Sequence, residues 1–429
     1  MIVAERYLEL GLRLGRHEPD LVDSYYGPEE LERRVEDEPL LEPARLAEDA
    51  AELLAELDDR WLAAQVKALE TTARTLAGEE LPYTEEVELT YGVRPSWTDE
   101  REFERAHALL DDTLPGSGDL AERFGRWFED AALPAGAVEP AVEAAMAVVR
   151  ERTRETVGVP EGEEVELVIV TGELWTGYAH YLGGFRTRIS VNTDLPFPAA
   201  DLLWFVGHEG YPGHHTQRAW QEADLFRGEG RVEATMDLLW SPDAVVAEGI
   251  AETGWKLVVD HDAHEELATS LRPLGVDYDP VVAARVTEAR RLLHPVGSNV
   301  ALLLHQREAS RREAWDYAAR WSLQPTDRVD KMLANVEDRR QRCYLHTYTV
   351  GRRLSRAYVD GDPGRLRRLL NELRESGLDA KPVDEVGIEV ASGDDEEVFA
   401  HVERMIMSIG APFVPLEHEG VIYVRPPLS

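Results

Sequence analysis

Apolar residues recur every three to four positions over most of the first 155 residues, which predicts a run of amphipathic helices. In residues 45–77 they fall at Leu46, Leu53, Leu54, Leu57, Trp61 and Leu62, set among the good helix formers Ala, Glu and Arg. A further helix is expected over 139–157. The stretches Tyr25-Tyr26-Gly27-Pro28 and 114–118 punctuate this part as turns. The texture then changes. Residues 165–170 are rich in β-branched side chains between Gly162 and Gly172, and residues 186–192 alternate polar and apolar after Gly183-Gly184. Two strands joined by a Gly/Tyr-rich connection predict a small antiparallel sheet near 165–192. A helix follows from about Ala199, with Leu202, Leu203, Phe205 and Val206 as its apolar stripe. Residues 243–374 read as helical again, with Pro242, Pro273, Pro280, Pro295 and Pro325 at the boundaries. Beyond 381 the pattern gives a strand at 386–390, a helix at 396–409 and a strand at 420–424. The expected fold class is mainly α with a small β-sheet (α+β): a helical domain over 1–380 and a small β-α-β appendage over 381–429.

Composition narrows the function. The chain has 429 residues, 43% of them hydrophobic, which is ample for a large core. A formal net charge of −37 repels nucleic acid and anionic membrane surfaces, so neither is expected as a partner. Of the 46 basic residues, four are lysines (Lys67, Lys256, Lys331 and Lys381). The preference for Arg fits a GC-rich coding bias, and the acidic surface fits adaptation to high salt; both readings stay open. The single cysteine, Cys343, allows no intrachain disulfide and suits a reducing compartment, where it is read as a small core residue. Charges interrupt the first 20 residues every few positions, so that segment reads as an amphipathic helix and not a signal peptide. The expected location is cytoplasmic.

The chemistry concentrates at His208-Glu209-Gly210-Tyr211-Pro212-Gly213-His214-His215. A hydrolytic zinc site needs about three His, Glu or Asp ligands, an open position, and a nearby carboxylate to take a proton from water. His-Glu on a helix supplies a ligand and a base together, because one residue of helix turns about 100°. The common spacing places a second His four residues after the first, and here that position is Pro212. On a straight helix His214 lies about 240° round from His208, and His215 shares its face but sits roughly 10 Å further along. The Pro-Gly pair must therefore break the helix for either imidazole to reach the metal. A third ligand is expected downstream in Ala247-Glu248-Gly249-Ile250-Ala251-Glu252. Glu248 and Glu252 share a helix face four residues apart, one as ligand and the other as its partner, in either assignment.

The pattern His-Glu-x-x-Pro-Gly-His-His, followed some 40 residues later by Glu-Gly-x-Ala, resembles the domain-of-unknown-function family 885, whose members look like mostly helical, zincin-type metallopeptidases. The resemblance extends to residues 184–193 and to Tyr348-Thr349-Val350-Gly351, which is similar to the family's Tyr-x-x-Gly. It covers roughly 165–355. It implies a zincin-like architecture, with His208, His214 and Glu248 as metal ligands and Glu209 as general base. His215 and Glu252 remain as alternates or supporting groups. Ile250 and Trp255 depart from the family's Glu-Gly-Trp-Ala-x-x-x-Glu. The metal implied is Zn2+, although such ligands also take Mn2+ or Co2+. The substrate implied is a peptide, and a substrate carboxylate held by Arg186 or Arg188 would suit a carboxypeptidase- or dipeptidase-like enzyme. Tyr348 is the candidate to steady the oxyanion. The 186–192 strand is the candidate to hold an extended substrate by edge pairing, through Arg186, Arg188 and Asn192, with either arginine available for a substrate carboxylate.

Two other functions fit the same motif: a zinc amidase or esterase acting on a non-peptide substrate, and a non-catalytic zincin-like binding scaffold. A pure binder has no need of Glu209 beside a ligand. The cluster His261-Asp262-Ala263-His264-Glu265-Glu266 reads as a solvated helix face. His294 and His305 read as core or turn residues, and His346 is a candidate for the cleft lining. Arg352-Arg353 and 365–368 read as solvated basic islands.

Overall fold

In a computed structural model of the chain, residues 3–172, 175–194, 196–372, 414–418 and 421–425 are described. Helices dominate, and the strands form three small sheets. The N-terminal half is helical as the periodicity predicts, but the 45–77 stretch is two helices, Pro43–Leu54 and Arg60–Leu76. Asp59 ends the break between them, its carboxylate accepting from the Leu62 N–H 2.8 Å away.

The two predicted strands are present as β2 (Glu164–Val170) and β4 (Arg186–Asn192). They pair parallel, with Glu166 opposite Arg188, not antiparallel as expected. The reason lies in the connection between them. Its Gly/Tyr-rich residues form a third strand, β3 (Gly177–Gly183), which pairs antiparallel with β4 on the other side. The order β2-β4-β3 makes β4 the central strand, so it has no free edge. Two short strands escaped the periodicity reading because neither is long enough to alternate visibly. These are β1 (Val22–Tyr25) and β5 (Met236–Leu238), paired antiparallel.

In the C-terminal segment, Val414–His418 (β6) and Val421–Arg425 (β7) form an antiparallel hairpin. The strand predicted at 420–424 is β7, and its described partner is an adjacent strand. The strand and helix predicted at 386–390 and 396–409 lie outside the described residues.

Among the described residues the core comprises four apolar clusters, the smallest of which includes Ile250, Val359 and Leu366. One joins the N-terminal helices to Met236 and Leu238, and another joins the Ala135–Thr156 helix to Ile189, Val191, Leu202, Phe205 and Val206. The third lies mostly on helices and includes Val245, Val300, Val350 and, from the turn before the Leu345–Val359 helix, the buried Cys343. Each fully buried aliphatic side chain contributes on the order of 1.5–3 kcal/mol. No helix among the described residues is long and apolar enough to cross a membrane.

His346 lies inside the helical core and not on the cleft. Its Nε2–H donates to the Tyr83 hydroxyl at 2.9 Å, while that hydroxyl donates to the Arg342 carbonyl. Burial pushes His346 down to about 3, and burial together with His261 pushes His264 down to about 4. Both folded values lie below the unfolded value near 6.5, so the stability these neutral imidazoles lend is complete above pH 6.5. It is lost as pH falls through about 4 and then about 3. At full protonation the cost is roughly 3–5 kcal/mol per histidine. Thermal melts are expected to fall between pH 6 and 4, with a shallower slope in His346→Gln; an unchanged slope refutes the assignment.

Candidate metal centre

The motif helix Leu202–Glu209 ends one residue after His208, and a new helix, His214–Gln221, starts at the next histidine. Between them the chain doubles back. Gly213 N–H donates to the Gly207 carbonyl at 3.0 Å, and the peptide bond before Pro212 is cis. The break required by the spacing is thus present. It swings His214 across to His208, and their ring centroids stand 4.9 Å apart at an interplanar angle of 88°.

Glu248 approaches from the Pro242–Gly254 helix. Its Oε2 lies 3.3 Å from His208 Nε2 and 3.8 Å from His214 Nε2. The ligand atoms of all three residues lie within 4.8 Å of one another. Ligands 2.0–2.1 Å from one tetrahedral cation are separated by about 3.4 Å, close to the two distances from Glu248. Polar-atom satisfaction gives an independent test of fit. Glu248 Oε2 and His208 Nδ1 are buried and make no hydrogen bond. A buried carboxylate oxygen left without a donor is costly in a native fold, and a cation beside it removes that cost. A divalent ion of the zinc type therefore fits these residues.

Supporting groups surround the triad. Glu252 Oε1 sits 3.5 Å from His208 Nδ1 and accepts from Arg291 at 3.0 Å. Glu248 is thus the candidate ligand and Glu252 the residue behind His208, which resolves the two orders left open by the sequence. The other oxygen of Glu248 accepts from the Tyr344 hydroxyl at 2.5 Å. His215 faces away from the triad. Its Nε2–H donates to Glu163 at 3.1 Å and its Nδ1 accepts from Thr187 at 2.8 Å, so neither nitrogen is left for a metal. Glu163 has a fully buried side chain that also accepts from Tyr211 and from Arg150. This clasp holds both ends of the Tyr-Pro-Gly-His-His turn onto the sheet. Nothing in the charged run 161–164 distinguished Glu163 beforehand.

Glu209 lines the same cavity, with the Ala179 N–H of β3 donating to its carboxylate. Burial pushes Glu209 up to about 7, against the pull of His208. Burial would lower His208, but Glu248, Glu209 and Glu252 outweigh it and raise it to about 9. Burial lowers His214 to about 4. Glu252 falls to about 2 although burial opposes it, because Arg291 and His294 face it.

Tyr348 also lines the cavity, its ring 6.3 Å from that of His208 and 4.9 Å from that of His294. It reaches this position because its helix, Leu345–Val359, packs closely on the Glu248 helix. Gly249 and Gly351 face each other at the contact. A Cβ on Gly249 would come 2.5 Å from the Gly351 carbonyl oxygen, and one on Gly351 would strike that of Val245. The glycines of the Glu-Gly and Tyr-x-x-Gly segments thus have a common physical reason.

The expected substrate-binding residues are placed elsewhere. On β4 the side chains of Thr187, Ile189 and Val191 turn inward, which sends Arg186 and Arg188 to the exposed face. Arg188 pairs with Glu166 on that face, 3.2 Å away. Asn192 is buried and bonded to backbone, donating to the Trp175 carbonyl and accepting from the Asp194 N–H. The cavity is lined by β3 instead, from Gly177 to Tyr181, and by Asp23 and Asp237 from β1 and β5. The second histidine cluster is not a site: His264 bonds Tyr278 at 2.6 Å while His261 is exposed.

Searches of family models, curated proteins and solved structures return no significant match to the chain.

Proposed function

We propose that the protein is a zinc-dependent hydrolase acting on peptides. The observation that carries this reading is the convergence of His208, His214 and Glu248 on one point, with the buried Glu248 Oε2 lacking a hydrogen-bond donor and the glutamate Glu209 beside them. The motif's resemblance to family 885 supports it, and so does a cavity of about 780 Å3, which suits a short peptide.

His208, His214 and Glu248 hold the ion. When bound, zinc supplies Lewis acidity, making water more acidic and polarising a carbonyl. Glu209 takes a proton from the attacking water and passes it to the departing amine. Its carboxylate is positioned by the Ala179 N–H and is poised near neutrality by burial. The Tyr348 hydroxyl donates to the developing oxyanion. Glu252 and Arg291 fix the His208 ring, and Tyr344 fixes the Glu248 carboxylate. β3 replaces β4 as the strand that would align an extended substrate. Among the described residues its outer edge pairs with no strand, and its first half faces the cavity.

Metal content after reconstitution tests the first half of this reading. Elemental analysis is expected to give about one zinc per chain, lost in His208→Ala and retained in His215→Asn. Equal zinc content in wild type and His208→Ala removes the site. A scaffold without catalysis would hold zinc and cleave nothing. An amidase or esterase would hold zinc and leave peptides intact while turning over smaller acyl compounds.

A further inference from the structure

Building on the hydrolase reading, we propose that this cleft recognises the N-terminal ammonium group of its peptide substrate through Asp23, which makes the enzyme an amino-end exopeptidase. The reasoning is a charge balance over the cavity lining. Among the described residues its acidic members are Asp20, Asp23, Glu209, Asp237, Glu248 and Asp338, and its arginines are Arg218 and Arg340. Arg218 forms an ion pair with the buried Asp237, and Arg340 pairs with Asp338 at 3.2 Å. A divalent ion offsets Glu248 and Glu209. His208 and His214 serve as ligands to that ion, and burial lowers His180. Asp20 sits exposed at the rim. Asp23 and Asp237 then share the one inner arginine, Arg218, which leaves one negative charge in surplus beside Asp23. Among the described residues no further arginine lines the cavity to hold a substrate carboxylate, since Arg186 and Arg188 are exposed and outside its lining.

The backbone explains how Asp23 comes to face the cavity. On β1, Val22 pairs with Leu238 and Ser24 with Asp237, so two steps along β1 match one along β5. Asp23 is the extra residue of a β-bulge, a device that re-aims a side chain. The Tyr178 hydroxyl donates to its carboxylate and holds it in place. Burial, and then the neighbouring Asp237, push Asp23 up to about 7 against Tyr178 and Arg218, so its bare negative charge is disfavoured there and a cation beside it would relieve that. The cation that every peptide carries irrespective of sequence is its terminal ammonium. A charge-assisted bond of that kind changes affinity by roughly 10- to 100-fold.

The test uses two probes without side-chain charge, alanyl-phenylalanine amide (free amine) and N-acetyl-alanyl-phenylalanine (free carboxylate). Both are titrated calorimetrically into zinc-loaded Glu209→Gln protein, so that neither is consumed. The free-amine probe is expected to bind about 10- to 100-fold more tightly. Asp23→Asn in the same background is expected to remove that difference by weakening only the free-amine probe. Equal affinities, or tighter binding of the free-carboxylate probe, overturn the proposal without using the variant. Amine-dependent binding to a wild-type protein that cleaves neither probe would uphold the Asp23 site and sink the hydrolase reading. Cleavage indifferent to acetylation would do the reverse.

Discussion

Zinc-loaded Glu209→Gln is expected to lose peptide hydrolysis by roughly 10²- to 10⁴-fold in kcat, with zinc content unchanged. The substitution keeps the side chain's size and leaves an amide oxygen to accept the Ala179 N–H, so the local fold has no reason to move. It removes the capacity to accept a proton from water. Glu209 is not among the three residues whose ligand atoms converge, so the metal should remain. The split between activity and metal content is the informative readout. Glu248→Gln, by contrast, is expected to lower both, because its Oε2 is one of the converging atoms. If Glu209→Gln turns peptides over at the wild-type rate, Glu209 is not the base and the proposed chemistry fails.

A larger structural effect is expected from a single added methyl group. Gly213→Ala should destabilise the fold by roughly 3 kcal/mol or more and abolish zinc retention. A Cβ at position 213 would fall within the carbonyl oxygen of His208 and 2.6 Å from that of Gly207. These are backbone atoms at the end of the motif helix and cannot rotate away. Relief requires opening the turn that brings His214 to His208. Chemical denaturation and elemental analysis on the same preparation check both effects. As a contrast, Gly136→Ala meets nothing within 4 Å and should leave zinc content unchanged. A folded Gly213→Ala protein with full zinc would show that the tight turn is not what unites the two histidines.

Particular residues show how far the site could be read from the sequence. The cluster of three histidines at 208, 214 and 215 around Pro212-Gly213 pointed to a metal. Helical geometry alone required a break there, and the chain does turn between Glu209 and His214. Glu248 and Glu252 were legible as a pair because two carboxylates on an apolar helix call for partners, but their order was not. That order depends on which oxygen meets which nitrogen of His208. Arg186 and Arg188 misled because a positive charge near a motif suggests an anion site. Their facing was settled by Thr187, Ile189 and Val191 taking the buried side of β4. Glu163, Tyr344, Arg291, Asp23 and Asp237 carried no local signal. Each is an ordinary residue type in an ordinary context until a distant element is folded against it.

By itself, the sequence determined what local spacing can encode: helical periodicity, the positions of the turns, the two strands on either side of the Gly/Tyr-rich connection and the residue types of a cation site. Those are short-range properties, fixed by rotation per residue and by the conformational limits of Pro and Gly. Only the tertiary structure decided that β3 would fill the space beside β4, that β1 and β5 would pair across more than 200 residues, and that the Gly249–Gly351 contact would bring Tyr344 and Tyr348 to Glu248. Those outcomes rest on which surfaces exclude water together and which buried polar atoms find partners. Such conditions hold between segments far apart in the chain, and no single segment contains them.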